Sequence, residues 1–502
     1  MELTPRNAKV AERTEKRSMI TLIMLGLLFV GWVGEWPLVI DPVMYHGLWR
    51  SPFAVFAPMF TPIPGISLFP WQVLLIVLAP FCLASSRGER RHSREMDRAI
   101  LVSIICIAVT FLWGLARGGS AYFAYYQIWR FLAALALGYM LMSTLRSEQD
   151  LASLGKAVVL AALIRATLCI YFYRAYIDGK IYPAPEYVTN HDDSVLWVVA
   201  ILIVSVWACV KRGRAAGITA ALVTPYLFYA MILNTRRIAW VELALALPLF
   251  YFLIGSGPLR SRINKWLIRI APLGVIYFAV GLGSDNAVFA PVHALATAGS
   301  NYDPSSLTRQ EEARNLLHTL VDIGNPILGT GWGRPYDKIE SYWSNYNAEW
   351  VLTLYTPHNA ILGLAAFAGL LGIVGIWGVV PVAAYLAARG VRGSTAPVPR
   401  AAGMVALGAL AAYSAHCYGD IGLQSFQVSL LFGAALATAG KVALWSQQLP
   451  SARTAEAGGG GRPAPDERPT GTATGGRWRR LKPSGTDRVA KRNRAPVRRQ
   501  SR

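Results

Sequence analysis

The chain has 502 residues, of which 54% are hydrophobic, and its formal net charge is +21. A mean hydropathy of +0.37 and long apolar runs exclude a string of soluble domains and indicate a membrane protein. Its five cysteines form no CxxC pair and lie in or at the end of apolar stretches, which excludes a disulfide framework and a cysteine metal site.

Residues 1–17 form a basic arm, and no small-residue cleavage site follows the first apolar stretch, which is therefore predicted to be a retained anchor. At about 20 residues per crossing, twelve stretches are long enough to span a bilayer. Lys and Arg concentrate in alternate connections, which predicts that both termini are cytoplasmic. The predicted fold class is an all-α polytopic membrane protein. Its predicted spans are Ser18–Gly34, Ile66–Ser85, Ala99–Leu115, Ile128–Leu145, Ala157–Tyr176, Val195–Val210, Ile218–Asn234, Ile238–Gly255, Ile270–Gly283, Ala360–Ala388, Ala401–Cys417 and Val428–Trp445.

The chain is predicted to divide into membrane and non-membrane parts. Spans one to nine occupy residues 18–283, and spans ten to twelve occupy residues 360–445. Residues 284–359 form one large loop that is predicted to be extracytoplasmic, and loops of this length usually carry function. Residues 446–502 form a basic tail rich in Gly, Pro and Arg, which is predicted to be disordered. Attraction of this tail to anionic lipids of the cytoplasmic leaflet is favoured over binding to nucleic acid.

Within the large loop, the leucine spacing predicts a helix over Thr308–Ile323, which Gly324–Asn325–Pro326 ends. Thr308 opens a capping-box pattern. Arg309 would then lie in the first turn, where a cation opposes the helix dipole. Two interpretations remain: Arg309 pairs with Glu312, or the helix N-terminus and Arg309 together form a phosphate site.

Several ionisable residues are predicted to share the outer face of the membrane. Taken singly, each has a structural explanation, because interfacial arginines contact phospholipid and a histidine before a helix often serves as a cap. Adjacent charges at membrane depth nevertheless mark functional sites, although Glu242 is an alternative structural partner for one arginine. These residues are Arg236 and Arg237 between spans seven and eight, Arg309 and Arg314 in the loop, His358 at its end, and His416 and Asp420 near span eleven.

Three alternating glycines, Gly329, Gly331 and Gly333, follow the loop helix. They permit either a tight backbone turn or the close approach of a ligand. No strand precedes them and no Lys-Ser/Thr pair follows, so this segment is not a nucleotide-binding fingerprint.

Three segments, in this order, resemble motifs of the O-antigen ligase and polymerase superfamily, which includes bacterial oligosaccharyltransferases that modify proteins. Asn234–Trp240 resembles the family's short Ser/Thr-Arg turn, and Pro326–Gly333 resembles its Pro-x-x-Gly-x-Gly-x-Gly segment. Pro357–Asn359, followed by an apolar helix that contains Gly369 and Gly372, resembles its His-Asn element.

The resemblance is specific over about Leu233–Gly372 and elsewhere rests on the number of spans. One departure concerns the loop arginine, which in the family usually lies nearer to the Pro-Gly segment than Arg309 does. Arg309 is preferred here, and Arg314 is the reserve.

The resemblance implies an all-helical, glycosyltransferase-C-like enzyme of the bacterial cytoplasmic (inner) membrane, with its active site on the extracytoplasmic face. It implies a polyprenyl-diphosphate-linked glycan donor, a glycan, lipid or protein acceptor, and neither a metal nor another cofactor. Arginines suit a diphosphate, so Arg236 and Arg309 would hold it with help from Arg237. A histidine suits a general base near neutral pH, so His358 would deprotonate the acceptor hydroxyl. Further candidates for loop or sugar contacts are Gly329, Gly331, Gly333, Asn359 and Asp420.

Two rival interpretations remain. His191, Asp192 and Asp193 are an alternative metal site or base, although their spacing does not require one. A lipid-linked glycan flippase or another polytopic transporter should carry ionisable residues through its spans. Mid-span charges are sparse here, chiefly Arg165 and Glu242, so glycan transfer is favoured. Ligases, polymerases and protein glycosyltransferases share the donor chemistry, so the class of acceptor stays open.

The topology predicts opposite outcomes for two reporter fusions. Alkaline phosphatase folds only outside the cytoplasm, so a fusion near Tyr302 should be active and a fusion after Trp445 should be inactive. Enzyme activity in intact cells measures this directly, and the reverse pattern would put the candidate site on the wrong face.

Overall fold

A computed structural model describes residues 19–34, 60–63, 66–68, 70–85, 92–180, 188–211, 213–253, 258–284, 286–296, 304–339, 354–423 and 425–448. The predicted basic arm, residues 340–353 of the large loop and the tail beyond residue 448 lie outside this description.

The described chain is almost entirely helical, with one antiparallel hairpin of strands β1 (Phe60–Ile63) and β2 (Ile66–Leu68). Serine side chains cap the starts of two helices. Ser93 caps the helix that begins at Arg94, and Ser147 forms a capping box with Asp150 in the helix that begins at Glu148. The helices are α1 (Met19–Gly34), α2 (Pro70–Ser85), α3 (Arg94–Ala116), α4 (Ala121–Thr144), α5 (Glu148–Phe172), α6 (Asp192–Lys211), α7 (Arg214–Asn234), α8 (Arg237–Leu253), α9 (Pro258–Gly281), α10 (Ala290–Ala296), α11 (Pro304–His318), α12 (Ala360–Leu370), α13 (Val379–Gly393), α14 (Pro397–Gly419) and α15 (Phe426–Gln448).

Six helical segments of the described chain are long and apolar enough to cross a membrane: α3, α5, α6, α7, α12 together with α13, and α15. A seventh follows if the bent pair Ile263–Arg269 and Ala271–Gly281 forms one span. Each of the twelve predicted spans overlaps a helix, and the helical polytopic class is confirmed. The number twelve stays a prediction, because α1, α2 and α8 contain only 16, 16 and 17 residues.

Helix α15 lies at the centre of the bundle, where 94% of its most apolar window is buried. It packs against α4, α13 and α14. Small residues allow the close approach to α4, since Gly138 faces Leu436 and Gly433 faces the backbone oxygen of Ala134. Close packing of small residues is the main attraction between helices in lipid, so this contact anchors the bundle.

Helix α12 opens near its end, where Gly369 has φ 56° and ψ −143°. The opening frees backbone groups that need partners at membrane depth. The loop segment after α11 supplies them through four hydrogen bonds, which we call the backbone clasp. They run from Thr330 N to Ala366 O (2.9 Å), Gly331 N to Phe367 O (2.8 Å), Leu370 N to Pro326 O (2.9 Å) and Leu371 N to Ile327 O (3.0 Å).

The glycines of this segment have φ values of 64° at Gly329, 87° at Gly331 and 85° at Gly333. A Cβ atom on Gly331 would overlap the backbone of Gly114 in α3, and its two neighbours in the motif are equally confined by protein backbone. The structure therefore supports the tight backbone turn, and the predicted loop or sugar contacts of these glycines stay a prediction.

The predicted start of the loop helix at Thr308 is wrong. Helix α11 begins at Pro304, because proline is favoured at the first position of a helix, where its missing N–H leaves nothing unpaired. Arg309 therefore lies in the second turn rather than the first. The predicted end is confirmed, since a π-helical turn over Thr319–Ile323 closes with a hydrogen bond from Gly324 N to Thr319 O.

Replacement of Gly331 by alanine should destabilise the protein more than replacement of Gly118. Both glycines have a positive φ, 87° and 82°, but a Cβ on Gly118 would meet nothing within 4 Å. We expect Gly118→Ala to cost about 1 kcal/mol through its backbone conformation, and Gly331→Ala about 1–3 kcal/mol more through overlap. Thermal unfolding in detergent measures the difference, and equal losses would contradict the clasp geometry.

Candidate functional site

His358 and Glu312 form a hydrogen-bonded pair at the start of α12. The His358 Nδ1 atom lies 2.9 Å from Glu312 Oε2, and the other carboxylate oxygen accepts the backbone N–H of Asn359 at 3.1 Å. Glu312 is buried, whereas the side chain of His358 is 35% exposed. A carboxylate partner requires the proton on Nδ1, so the neutral ring keeps its lone pair on Nε2.

The rotation of α11 brings Glu312 to this position. Asn315, Leu316 and Thr319 are buried on the same face, and Leu316 is fully inaccessible. Asn315 Oδ1 accepts the backbone N–H of Ile339, which ties the helix to the segment that follows it. Residues three, four and seven positions beyond Glu312 share its side of a helix, so burial of this face turns the carboxylate towards α12.

Asn359 caps α12, as the sequence predicts. Its Oδ1 atom accepts the backbone N–H of Leu362 at 2.9 Å. An N-cap satisfies one of the unpaired donors of a helix start, and the side chain is thus engaged in structure. His358, one residue earlier, is held immediately before the first turn.

Groups around His358 change its pKa in opposite directions. The hydrogen bond to Glu312 raises the pKa of His358 above its ordinary value, against the opposing effect of burial. The negative charge of Asp420 also raises this pKa, and the positive charge of Arg309 lowers it. The charges of Arg309 and Asp420 thus both reach His358, although the three residues come from separate parts of the chain.

Asp420 also interacts with His191, which precedes α6. The His191 Nδ1 atom lies 2.5 Å from Asp420 Oδ2, and the positive charge of Arg236 acts on the His191 ring. Burial would raise the pKa of Asp420, but its hydrogen bond with His191 holds that pKa below its ordinary range. Asp420 consequently links the surroundings of Arg236 to those of His358.

Arg236 follows a strained residue. Thr235 has φ 53°, a left-handed conformation that β-branched residues rarely adopt, and it ends α7. Asn234 supports the turn, because its Oδ1 atom accepts the backbone N–H groups of Val188 and Thr189 at 3.0 and 2.7 Å. Strain of this kind persists only where the surroundings enforce it, and here it directs the chain through Arg236 into α8.

The other two candidate arginines, Arg237 and Arg314, are both exposed and lie on different helices. Arg237 is exposed and begins α8. Arg314 is exposed on α11, and its position five residues after Arg309 turns it about 140° around the helix axis. The charge of Arg309 reaches His358, and the choice of Arg309 over Arg314 stays a prediction.

The predicted pairing of Glu242 with an arginine of the turn between α7 and α8 is wrong. Glu242 is fully buried and lies 2.8 Å from Nδ1 of His416, which is also fully buried. Nε2 of His416 lies 3.7 Å from Asp192. Because α8 packs against α14, the carboxylate points into the bundle and away from the membrane surface.

The side chains of His191, Asp192 and Asp193, the alternative metal site or base, do not come together as one site. Asp193 forms two hydrogen bonds of 2.7 Å with Arg165, whereas Asp192 faces His416 and His191 faces Asp420. No group of three or more His, Cys, Asp or Glu side chains in the described ranges could hold a metal ion. The three residues are adjacent in the sequence, but each contacts a different partner.

The sequence indicated Glu312 only as a partner of Arg309, and its contact with His358 was not predicted. The contact of Asp420 with His191 was not predicted either. The two members of the first pair are 46 residues apart in the sequence, so no local pattern connects them.

Comparison with known families supports the same region of the chain. Residues 222–377 match a family model described as O-antigen ligase. The match spans the arginine turn, α11, the glycine segment and His358, and it confirms the resemblance inferred from the sequence. No match to a curated protein was found.

Proposed function

We propose that this chain transfers a glycan from a polyprenyl-diphosphate carrier, because residues 222–377 match the O-antigen ligase family model and several helices are long and apolar enough to cross a membrane. The acceptor is a lipid, a polysaccharide or a protein, and the reaction takes place on the extracytoplasmic face. The observation that carries the proposal is the pair of His358 and Glu312, in which the His358 side chain is 35% exposed and is acted on by the charge of Arg309.

His358 acts as the general base in this proposal. Its Nε2 atom takes the proton of the acceptor hydroxyl while the acceptor oxygen attacks the anomeric carbon of the donor. The bond between that carbon and the diphosphate oxygen breaks, and its electron pair leaves with the diphosphate. Glu312 orients the ring through Nδ1 and stabilises the imidazolium that forms, as the acid of a catalytic triad does.

Arginines stabilise the leaving group. The diphosphate gains negative charge as the glycosidic bond breaks, and fixed guanidinium groups can neutralise it without rearrangement. Arg236, whose charge acts on His191, and Arg309, whose charge acts on His358, are assigned this role, with assistance from Arg237. Arg314 stays the reserve for Arg309. The proposed reaction routes no step through a metal ion.

Asp420 supports this arrangement rather than reacting. Its carboxylate accepts the backbone N–H of Ile421 at 2.9 Å and pairs with His191. Its negative charge acts on His191 and His358, the same two histidines on which Arg236 and Arg309 act, and it offsets part of the positive charge of the two arginines. The predicted sugar contact of Asp420 is therefore replaced by an electrostatic role.

Two variants should separate donor binding from chemistry. His358→Ala should lower the transfer rate by about 10² to 10⁴ while leaving donor binding intact, because it removes only the base. Arg236→Ala should weaken donor binding by about tenfold or more, because it removes a charge-assisted hydrogen bond. Both properties can be measured on purified protein in detergent with a chelator present.

Arg392→Ala is a matched control for the loss of a cation, since this arginine is exposed at the end of α13. It should behave like the wild type in both assays. Near wild-type transfer by His358→Ala would remove His358 from the role of base, and strict dependence on added metal would contradict the proposed reaction.

The dependence of transfer on pH should report the contact between His358 and Glu312. Since a base must be unprotonated and Glu312 raises the pKa of His358, the transfer rate should rise with pH over a range above the ordinary histidine value. Glu312→Gln removes the negative charge, so this rise should move to lower pH and the maximum rate should fall. Glu311→Gln makes the same change one residue away and should leave the profile unchanged; an unchanged profile in Glu312→Gln would refute the pairing.

A further inference from the structure

A large apolar cavity lies between α5, α6, α7, α14 and α15. Its volume is about 650 Å³, within the range typical of sites for small ligands. The walls are formed almost entirely by aliphatic side chains and alanines, and they include Leu154, Val199, Ile203, Ala402 and Ala406. A cavity with such walls suits a hydrocarbon chain.

The cavity lies at the opposite end of the helices from the candidate site. Helix α6 contributes Asp192 near the candidate site at its first residue and Lys211 to the cavity at its last. Its 20 residues span about 30 Å, which is the thickness of the hydrocarbon core of a bilayer. The start of α14 likewise lines the cavity, while its end carries His416 beside Glu242. The two sites therefore face opposite leaflets.

Two lysines stand among the lining residues of the cavity. Lys156 on α5 and Lys211 at the end of α6 are both exposed. The Lys211 ammonium group lies 5.1 Å from the ring centre of Trp207, another lining residue. Neither lysine forms an ion pair with any residue that the structure describes. Gly155 contacts Ile203, so Lys156 lies about two helical turns from Lys211 along the cavity, and the lining offers two positive charges to an anion.

We propose that this cavity binds an anionic phospholipid of the leaflet opposite to the candidate site. One acyl chain fills the apolar interior, and the phosphate lies between Lys156 and Lys211. Basic pockets between membrane helices bind anionic headgroups in this way, with about 1 kcal/mol from each lysine near the surface. The proposal concerns a second site, and only its choice of a phospholipid over the glycan donor rests on the proposed function.

Charge favours a phospholipid in this cavity over two other occupants, which are the basic tail of this chain and a polyprenyl-diphosphate donor. The tail over residues 446–502 is strongly basic, so the lysines would repel it. A polyprenyl-diphosphate donor would place its diphosphate at the arginines on the far side of the bilayer, and the two lysines would then have no anion. A phospholipid supplies a hydrocarbon chain and a phosphate at the same end of the cavity.

Photolabelling of the purified full-length protein tests the site. The probe is a phosphatidylglycerol with a diazirine on one acyl chain, and labelled peptides are mapped by mass spectrometry. We expect labelling of α5, α6 and α14 that unlabelled phosphatidylglycerol displaces and phosphatidylcholine does not. Lys156→Ala with Lys211→Ala should weaken binding by about thirtyfold, or about fivefold for each lysine.

The matched control removes two other exposed cations, Arg98→Ala with Arg392→Ala, and should bind the probe like the wild type. A second variant, Ala402→Phe, fills the cavity and should abolish labelling without changing the charge. Equal displacement by phosphatidylcholine, or unchanged binding in the double lysine variant, would overturn the headgroup contact. Displacement by a polyprenyl diphosphate would overturn the proposal in favour of the donor chain.

Discussion

The backbone clasp between the loop segment and α12 is the constraint on which the candidate site depends. A helix that opens at membrane depth must find new partners for its backbone groups, because lipid offers none. The opening at Gly369 would otherwise leave the carbonyls of Ala366 and Phe367 unpaired, and Thr330 and Gly331 satisfy them. The clasp fixes the loop against the helix that Asn359 begins. It thereby holds α11 and α12 close enough for Glu312 to reach His358.

The buried charged side chains near the candidate site are subject to a second constraint. Each needs a partner whose interaction offsets the cost of removing the charge from water. Arg165 has Asp193, which also accepts from Gln427 at 3.3 Å, and His416 has Glu242 on one side and Asp192 on the other. Asp192 belongs to this group and is next in sequence to His191, on which the charge of Arg236 acts. The cationic surface of the candidate site thus rests on an interior that is polar at one end of the helices and apolar at the other.

The sequence predicts those parts of the structure that depend on local pattern. Long apolar stretches predict the helices, and the identity of Asn359 predicts its cap, because both follow from residues close together in the chain. Pairings between distant residues depend on the rotation and depth of whole helices. Glu242 illustrates this: its spacing allows a contact with the arginine turn, but packing of α8 on α14 turns it to His416. The start of α11 was missed because Pro304 outweighs the capping pattern at Thr308.

The glycine segment has a consequence for the order of assembly. Trp332 donates from Nε1 to Thr110 at 2.8 Å across 222 positions of the chain, and the clasp partners in α12 are synthesised after both. Contacts between such distant positions form late, because closing a long loop costs entropy before any contact repays it. Closure of the clasp therefore cannot precede the synthesis of α12, because the acceptor carbonyls of Ala366 and Phe367 belong to that helix. The segment that borders the candidate site thus reaches its final place only after α12 has been made.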